Sequence, residues 1–277
     1  MDFWIKALQL LDTQMETPAC YGLYHIVFLA LMLLATVYLC VWHKADSADR
    51  VRKVVFFTAL IVIVLEIYKL INYSFSYADG KISFDFQWYA FPFQFCSTPM
   101  YVGLLAGIFK KGKVHDALCA YLATFAIFAG LCVMIYPGDV FTSTAGINFQ
   151  TMICHGTMLP IGAYLYATGH VKLNHKTILK ALCVFAVTVG IAMILNEVAH
   201  TTGLLESESF NMFYISPYQP PHLPIYSNVQ TIVPYPWSLI IYLAGFTAAA
   251  YIMLLGAMGI HRLAAGKKQA ETVTTAN

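Results

Sequence analysis

A cysteine and a histidine in two apolar stretches are the residues best suited to chemistry. Cys96 follows Tyr89 in the run FQWYAFPFQFCSTPMYVGLLAGIF at a spacing similar to that by which His155 follows Phe149 in a second run. In helices that rise 1.5 Å per residue, both side chains would lie roughly 10 Å below the same membrane surface. A base that takes the thiol proton lets the thiolate attack an acyl carbonyl. The pair therefore indicates nucleophilic catalysis on a lipid ester.

Other polar side chains are predicted to reach a similar depth. Glu66 and Lys69 lie three residues apart, so they share a helix face and partly neutralise one another. Asn196 lies near the outer end of a later apolar run. An ionisable group inside a bilayer is costly, so such positions are candidate site residues. The possible oxyanion donors near the thiol are Gln94, Ser97, Thr98 and the helix-start amides at Pro99, and the sequence does not choose among them.

Less reactive roles fit the same residues. A cysteine such as Cys96 in an apolar helix is commonly a small packing residue. An intramembrane histidine such as His155 needs only a polar partner on a neighbouring helix. Glu66 and Lys69 equally fit a structural ion pair. Cys154 is a rival nucleophile, but on a helix its side chain points about 100° away from that of its neighbour His155.

The composition is that of a membrane protein. The 277 residues are 59% hydrophobic and 11% charged, and several apolar runs reach the roughly 20 residues that span a bilayer. The net charge of +2 is small, and the basic residues lie in short clusters beside apolar runs, so we expect no nucleic-acid partner. The cysteines lack C-x-x-C spacing, and His200 and His222 lack a recognised metal-ligand spacing. We therefore expect neither a metal nor a cofactor.

The apolar runs and their polar breaks predict an all-α, polytopic bundle of seven transmembrane helices. The predicted spans are 21–42, 54–75, 88–109, 114–136, 149–167, 177–200 and 237–260. Most of the 16 Lys and Arg residues lie in alternate loops and after the last span. The positive-inside rule places these segments in the cytoplasm, so the N-terminus is expected outside and the C-terminus inside.

The chain is predicted to divide into three parts. Residues 1–20 place apolar and polar side chains on opposite sides of a helix, which predicts an amphipathic segment in the membrane interface. The membrane domain is predicted over 21–264. Its long outer loop, 201–236, is rich in proline and aromatic residues, and we expect a structured cap over the site without a regular helix. The polar end, 265–277, is predicted to be disordered.

Several stretches resemble the YwaF-like integral membrane proteins, the superfamily that includes transmembrane protein 164. They are FPFQFCSTPMYVGLLAG, CHGTMLPIGAYLY, LEIYKLI, and the region from Asn196 through FNMFYISP to VPYPWSLIIYL. The resemblance implies a lipid acyltransferase that uses a cysteine acyl-thioester and a histidine, which map to Cys96 and His155. It aligns Asn211 with a loop asparagine, for which it implies no role. Gln94 departs from the leucine or histidine expected beside the cysteine in many members.

The leading hypothesis is a lipid acyltransferase with membrane lipids as acyl donor and acceptor. Hydrolysis of a fatty-acyl ester is one alternative, since the resemblance implies that more distant androgen-induced relatives are hydrolases with a threonine and a histidine. A transporter or ligand-binding protein without catalysis is another, with Glu66, Lys69 and His155 along a polar path, although we see no paired interrupted helices. The last span has no lysine for a retinal Schiff base. We expect a bacterial plasma membrane as the location and leave the oligomeric state open.

Overall fold

The computed structural model describes residues 2–203, 210–219 and 223–274, without the side chains of residues 2, 224, 225 and 267–274. This part of the chain is predominantly helical. The helices are α1 (Asp2–Leu11), α2 (Leu23–Trp42), α3 (Ala48–Ser74), α4 (Thr98–Ile108), α5 (Lys113–Leu122), α6 (Phe125–Ile135), α7 (Ala145–Gly156), α8 (Met158–Ala167), α9 (Lys176–Thr201), α10 (Pro224–Ile232) and α11 (Trp237–Thr274). Short 3-10 helices lie at Trp88–Ala90 and Met212–Tyr214, and strands β1 (Phe75–Ala78) and β2 (Lys81–Phe84) form one hairpin.

Five segments of the described chain are long and apolar enough to cross a membrane. Four lie in single helices, namely α2, α3, α9 and the first part of α11. The fifth is the consecutive pair α5 and α6, over Lys113–Ile135. The helix α4 has only 11 residues, and α7 and α8 meet at Thr157, so neither α4, α7 nor α8 alone spans a bilayer. The described chain is therefore a predominantly helical membrane protein with interruptions in three of the predicted spans.

The predicted third span differs most from the structure. Its helical part begins only at Thr98, with Pro99 in the first turn, where the missing N–H of proline costs no hydrogen bond. Cys96 lies in the turn before this helix. In this turn the Gln94 carbonyl oxygen accepts hydrogen bonds from the amides of Ser97 and Thr98. Pro92 disfavours a helical conformation in the preceding residue, Phe91, which is not helical. The depth estimated for Cys96 assumed that a continuous helix leads to this residue, and that assumption was wrong.

The hairpin of β1 and β2 was missed by the sequence analysis. Phe75 pairs with Phe84 across the two strands, and the turn between them is made by Asp79 and Gly80, with φ of 50° and 70°. Asp-Gly between two short strands is the preferred sequence for a two-residue turn with positive φ at both positions. The signal was present in the sequence, but the apolar pattern of the second span ended just before it.

Residues 210–216, which we call the buried loop segment, connect α9 and α10 through the interior of the helical bundle. Met212, Phe213 and Ile215 are fully buried. Phe213 and Tyr214 have φ of 59° and 56°, a region that bulky residues seldom adopt. Such a conformation persists only where the surrounding contacts hold it. This segment is therefore part of the bundle core, whereas residues 204–209 and 220–222 lie outside the described residues.

Two helices extend into regions for which the sequence predicted none. The helix α10 lies within the long loop. Its only proline, Pro224, occupies the first turn, where proline is compatible with a helix. The helix α11 continues to Thr274, where the sequence predicted disorder. After Gly266 the run KKQAETVT contains several good helix formers and neither glycine nor proline, which favours continuation of the helix. Residues 275–277 lie outside the described residues.

The largest core lies where α5, α6 and α9 meet the buried loop segment. Phe125 stacks on Phe185 with ring centroids 4.4 Å apart, and Tyr121 stacks on the other side of Phe125 at 5.5 Å. Phe213 joins the same aromatic group, 6.5 Å from Phe185. These four rings are fully buried. They attach the buried loop segment to α5, α6 and α9.

Candidate functional site

Glu66 and Lys69 form a charged pair on α3, as the sequence predicted. Glu66 is 4% exposed, and its Oε1 is ion-paired with Lys69 Nζ. Its other oxygen, Oε2, accepts a hydrogen bond from Gln150 Nε2 at 2.9 Å. A buried charge is tolerated when both an opposite charge and hydrogen bonds satisfy it. Gln150 on α7 is a site residue that sequence analysis missed, because nothing local marks an amide as the partner of a distant carboxylate.

His155 lies in the last turn of α7 and presents an unpaired nitrogen. Its Nδ1 is 2.7 Å from the carbonyl oxygen of Thr151, which can only accept, so Nδ1 carries the proton and donates. In the neutral ring, Nε2 then holds a free lone pair. His155 is 8% exposed, and its Nε2 has no hydrogen-bond partner among the described residues. Nε2 is one of several buried polar atoms of the described chain without a hydrogen-bond partner, and its lone pair is available to a water or a substrate group.

Cys96 is half-buried in the turn before α4 and borders the same region. Met100, which follows Cys96 by four residues, packs with Cys154, the residue before His155. The structure therefore brings the start of α4 and the end of α7 together.

The thiol and the imidazole are not hydrogen-bonded to each other. His155 Nε2 has no hydrogen-bond partner within the described chain, so it is not hydrogen-bonded to the sulfur of Cys96. In unliganded enzymes, hydrogen bonds between catalytic groups are often long and shorten only in the substrate complex. The missing hydrogen bond therefore does not exclude Cys96 and His155 as a candidate pair.

Cys154, the rival nucleophile, lies in packed surroundings. It is 6% exposed and clusters with Val62 and Met100. Its sulfur accepts a hydrogen bond of 3.3 Å from Gln150 Nε2, the same atom that donates to Glu66. A thiol among aliphatic side chains, paired with an amide, behaves as a packing residue. Cys96 is consequently the better candidate of the two.

Gln94 holds the buried loop segment, and its amide is not directed at the thiol. Its Nε2 donates to the carbonyl oxygen of Asn211 at 2.9 Å, and its Oε1 accepts from the amide of Phe213 at 2.9 Å. Thr98, another possible oxyanion donor, has its hydroxyl 2.6 Å from the Tyr121 hydroxyl and 2.8 Å from the Phe95 carbonyl oxygen. The role of oxyanion donor predicted for Gln94 and Thr98 is therefore not supported by their geometry.

Asn196 and Asn211 also support the buried loop segment. Asn196 donates from Nδ2 to the Met212 carbonyl oxygen at 3.0 Å and accepts from the Met212 amide at 2.7 Å. Asn211 Oδ1 accepts from the amide of Ser216 at 2.9 Å. All of these groups are buried. The predicted supporting residues thus form two groups, one around the charged pair and one around the buried loop segment.

His200 lies on the surface, away from the charged pair. Its ring stacks on Tyr218 with centroids 3.5 Å apart, and the Tyr218 hydroxyl donates to Glu197 Oε2 at 2.8 Å. This hydrogen bond to a carboxylate raises the pKa of Tyr218. His222 lies outside the described residues, among which no group of three potential metal ligands occurs.

Comparison with known proteins shows the family of the chain. The model of the TMEM164 family matches residues 20–255, which include every candidate site residue. No curated protein and no solved structure matches the chain. Because the family model covers most of the 277 residues, this integral membrane protein belongs to the TMEM164 family.

Proposed function

We propose that the protein is a membrane-embedded lipid acyltransferase in which Cys96 carries the acyl group and His155 is the base. The observation that carries this proposal is the unpaired Nε2 of His155, buried near the end of α7, where Cys154 packs with Met100 just after Cys96. Membership of the TMEM164 family supports it, since the resemblance implies a cysteine and a histidine at these two positions. The proposed substrates are phospholipids or other fatty-acyl lipids of the bilayer.

The first half of the reaction transfers the acyl group from the donor lipid to the protein. His155 Nε2 takes the proton of the Cys96 thiol, and the thiolate attacks the carbonyl carbon of the acyl ester. The ester C–O bond then breaks, the leaving alcohol takes the proton from His155, and a thioester remains on Cys96.

The second half transfers the acyl group from the protein to the acceptor lipid. The hydroxyl of the acceptor loses its proton to His155 and attacks the thioester carbonyl. The C–S bond breaks, and the proton on His155 returns to the sulfur of Cys96. If water takes the place of the acceptor, the product is a free fatty acid and the protein is a hydrolase. Analysis of the products after supplying a lysophospholipid distinguishes these two outcomes.

Detection of the acyl-enzyme by mass spectrometry of the purified protein tests the proposal. We expect a hydroxylamine-sensitive acyl group on Cys96 that is absent from Cys96→Ala. His155→Ala should slow its formation by roughly 10²- to 10⁴-fold, the usual contribution of a general base. Cys183→Ala, at an exposed position on α9, is the matched control and should react like the parent. An acyl group that persists in Cys96→Ala, or that requires Cys154 in its place, would overturn the assignment.

We also propose seven membrane crossings, with the N-terminus outside and the C-terminus in the cytoplasm of a bacterium. Residues 88–97 with α4 would form the third crossing, and α7 with α8 the fifth. The alternation of basic loops supports this count. A membrane-impermeant maleimide should label Lys81→Cys in intact cells and Lys111→Cys only after permeabilisation, both sites being exposed. The opposite pattern would reverse the orientation, and labelling of both from outside would contradict the third crossing.

A further inference from the structure

A small interior cavity lies next to the candidate site. Its volume is about 40 Å³, and its walls include Pro99 and Met100 at the start of α4 and Cys154 near the end of α7. These residues follow Cys96 and precede His155 along the chain. At roughly 10–15 Å³ for one water-sized probe, the cavity has room for a few carbon atoms. The rest of its lining is almost entirely aliphatic.

An apolar groove of about 320 Å³ opens on the surface of the bundle between α2, α3, α7 and α8. Leu31 and Ala35 of α2 form part of its wall and are exposed, so the groove faces the lipid. The groove and the interior cavity share three lining residues, which are Thr58, Thr157 and Ile161. The two spaces are therefore neighbours.

Helix interruptions converge on the interior cavity. Pro99 at the start of α4, Leu122 at the end of α5 and Thr157 between α7 and α8 all line it. Non-helical backbone at membrane depth is tolerated only where it is buried in protein or lines a cavity. The Thr157 hydroxyl donates to the Cys154 carbonyl oxygen at 3.1 Å, which satisfies a backbone group near the break. The lining that remains is suited to a hydrocarbon.

We propose that the groove and the interior cavity bind one fatty acyl chain of a membrane phospholipid. The chain enters sideways from the bilayer between α2 and α8, and its ester end reaches Cys96. This inference rests on the proposed function. The carbons next to the ester occupy the 40 Å³ cavity, and the remainder of the chain lies in the 320 Å³ groove. A straight hydrocarbon is the occupant because the path is apolar, opens to lipid and ends at Pro99, Met100 and Cys154, which are close in sequence to Cys96 and His155.

Photo-crosslinking in detergent micelles tests chain binding without catalysis. The probe is a phosphatidylcholine with a diazirine in one acyl chain, and the protein carries Cys96→Ala. We expect crosslinks to groove residues such as Met152 and Ile153, reduced roughly tenfold by Ala35→Trp, which fills the groove. Ala30→Trp is the matched control, because Ala30 is exposed on the same helix but does not line the groove. Equal crosslinking in both tryptophan variants would overturn the proposal.

The acyl-enzyme assay separates this inference from the proposed function. With Cys96 intact, Ala35→Trp should slow acylation by long-chain donors about tenfold while short-chain donors still react, because only a long chain needs the groove. Unchanged acylation by long-chain donors in Ala35→Trp would reject the groove and leave the acyltransferase standing. Crosslinks in the groove without any acyl-enzyme would keep the chain site and reject the proposed chemistry. Thermal unfolding of both tryptophan variants verifies that each is folded.

Discussion

Glu66 and Lys69 show how this chain keeps charges within a membrane helix. Each of the two carboxylate oxygens of Glu66 has its own partner, Lys69 on the same helix and Gln150 on α7. The pair therefore joins α3 to α7 and has a structural role. Its removal should affect folding before it affects chemistry.

Glu66→Gln should strongly destabilise the protein. The substitution leaves Lys69, whose side chain is 18% exposed, without its counter-charge, and breaking a buried pair costs roughly 3–5 kcal/mol. Unfolding by denaturant in detergent measures the loss. The double variant Glu66→Gln with Lys69→Met removes both charges and should recover much of the stability. A double variant no more stable than the single one would contradict the pairing.

The buried loop segment is held by side-chain amides from two elements. Gln94 precedes α4 and Asn196 lies on α9, and each makes one donor and one acceptor contact with the backbone between 211 and 213. A side-chain amide can replace a backbone partner because it carries both a donor and an acceptor. These four hydrogen bonds support the positive φ of Phe213 and Tyr214. The two amides thus position a segment that would otherwise be strained.

Asn196→Leu should loosen the buried loop segment. It leaves the buried amide of Met212 unpaired, at a cost of about 1–3 kcal/mol, and removes the shorter of the two hydrogen bonds to the Met212 carbonyl oxygen. Hydrogen exchange of residues 210–216 should become faster, as followed by mass spectrometry. Asn228→Leu, at an exposed position on α10, is the control and should leave the exchange unchanged. Equal protection in both variants would show that aromatic packing alone holds the segment.

Gly130 allows α6 to approach the end of α7. A Cβ atom at this position would lie 2.6 Å from the His155 carbonyl oxygen and 2.7 Å from Met158 Cβ. Gly130→Ala should therefore cost about 1–3 kcal/mol through overpacking, and it should slow acyl-enzyme formation by shifting His155. Thermal unfolding and the acylation rate are the measurements. Gly190→Ala on α9 has open space around the new atom and should be neutral or slightly stabilising. Similar effects of the two substitutions would contradict this explanation.

Asp46 links the turn between α2 and α3 to the far end of α8. Burial by itself raises the pKa of Asp46, but hydrogen bonds from Tyr164 and Arg50 outweigh it and lower the pKa below its ordinary value of 3.8. The Tyr164 hydroxyl donates to Asp46 Oδ2 at 2.7 Å, and His43 Nδ1 lies 3.0 Å from the same oxygen. Three separate parts of the chain therefore meet at one carboxylate.

The stability of the whole protein should depend on the charge of Asp46. A carboxylate with a lowered folded-state pKa contributes stability above its unfolded value, and this contribution is lost as the pH falls through the folded value. Asp46→Asn should therefore have a lower Tm than the parent at pH 7, with the two curves converging below pH 3.8. Thermal unfolding across this pH range is the measurement. Asp79→Asn in the exposed hairpin turn serves as the control. A difference in Tm that persists unchanged into acid would contradict the linkage.

The membrane class, most helix positions and the pairing of Glu66 with Lys69 could be predicted from the sequence alone. These features follow from the apolar content of short windows and from the spacing of residues on one helix, which are local properties. Cys96 and His155 were also singled out locally, as polar groups in apolar runs. The helix of the third span was predicted to begin at residue 88 and not at Thr98, because a window average does not register how Pro92 interrupts a helix.

The partners of these residues were decided only by the tertiary structure. Gln150 is hydrogen-bonded to Glu66, 84 residues away in sequence, and Gln94 is hydrogen-bonded to Phe213, 119 residues away. Such contacts depend on how each helix is rotated about its axis and which face it packs, quantities that hydrophobicity does not determine when both faces are apolar. The convergence of Pro99, Leu122 and Thr157 on one cavity has the same origin. The sequence alone determined the kinds of group inside this membrane protein, and packing decided which of them meet.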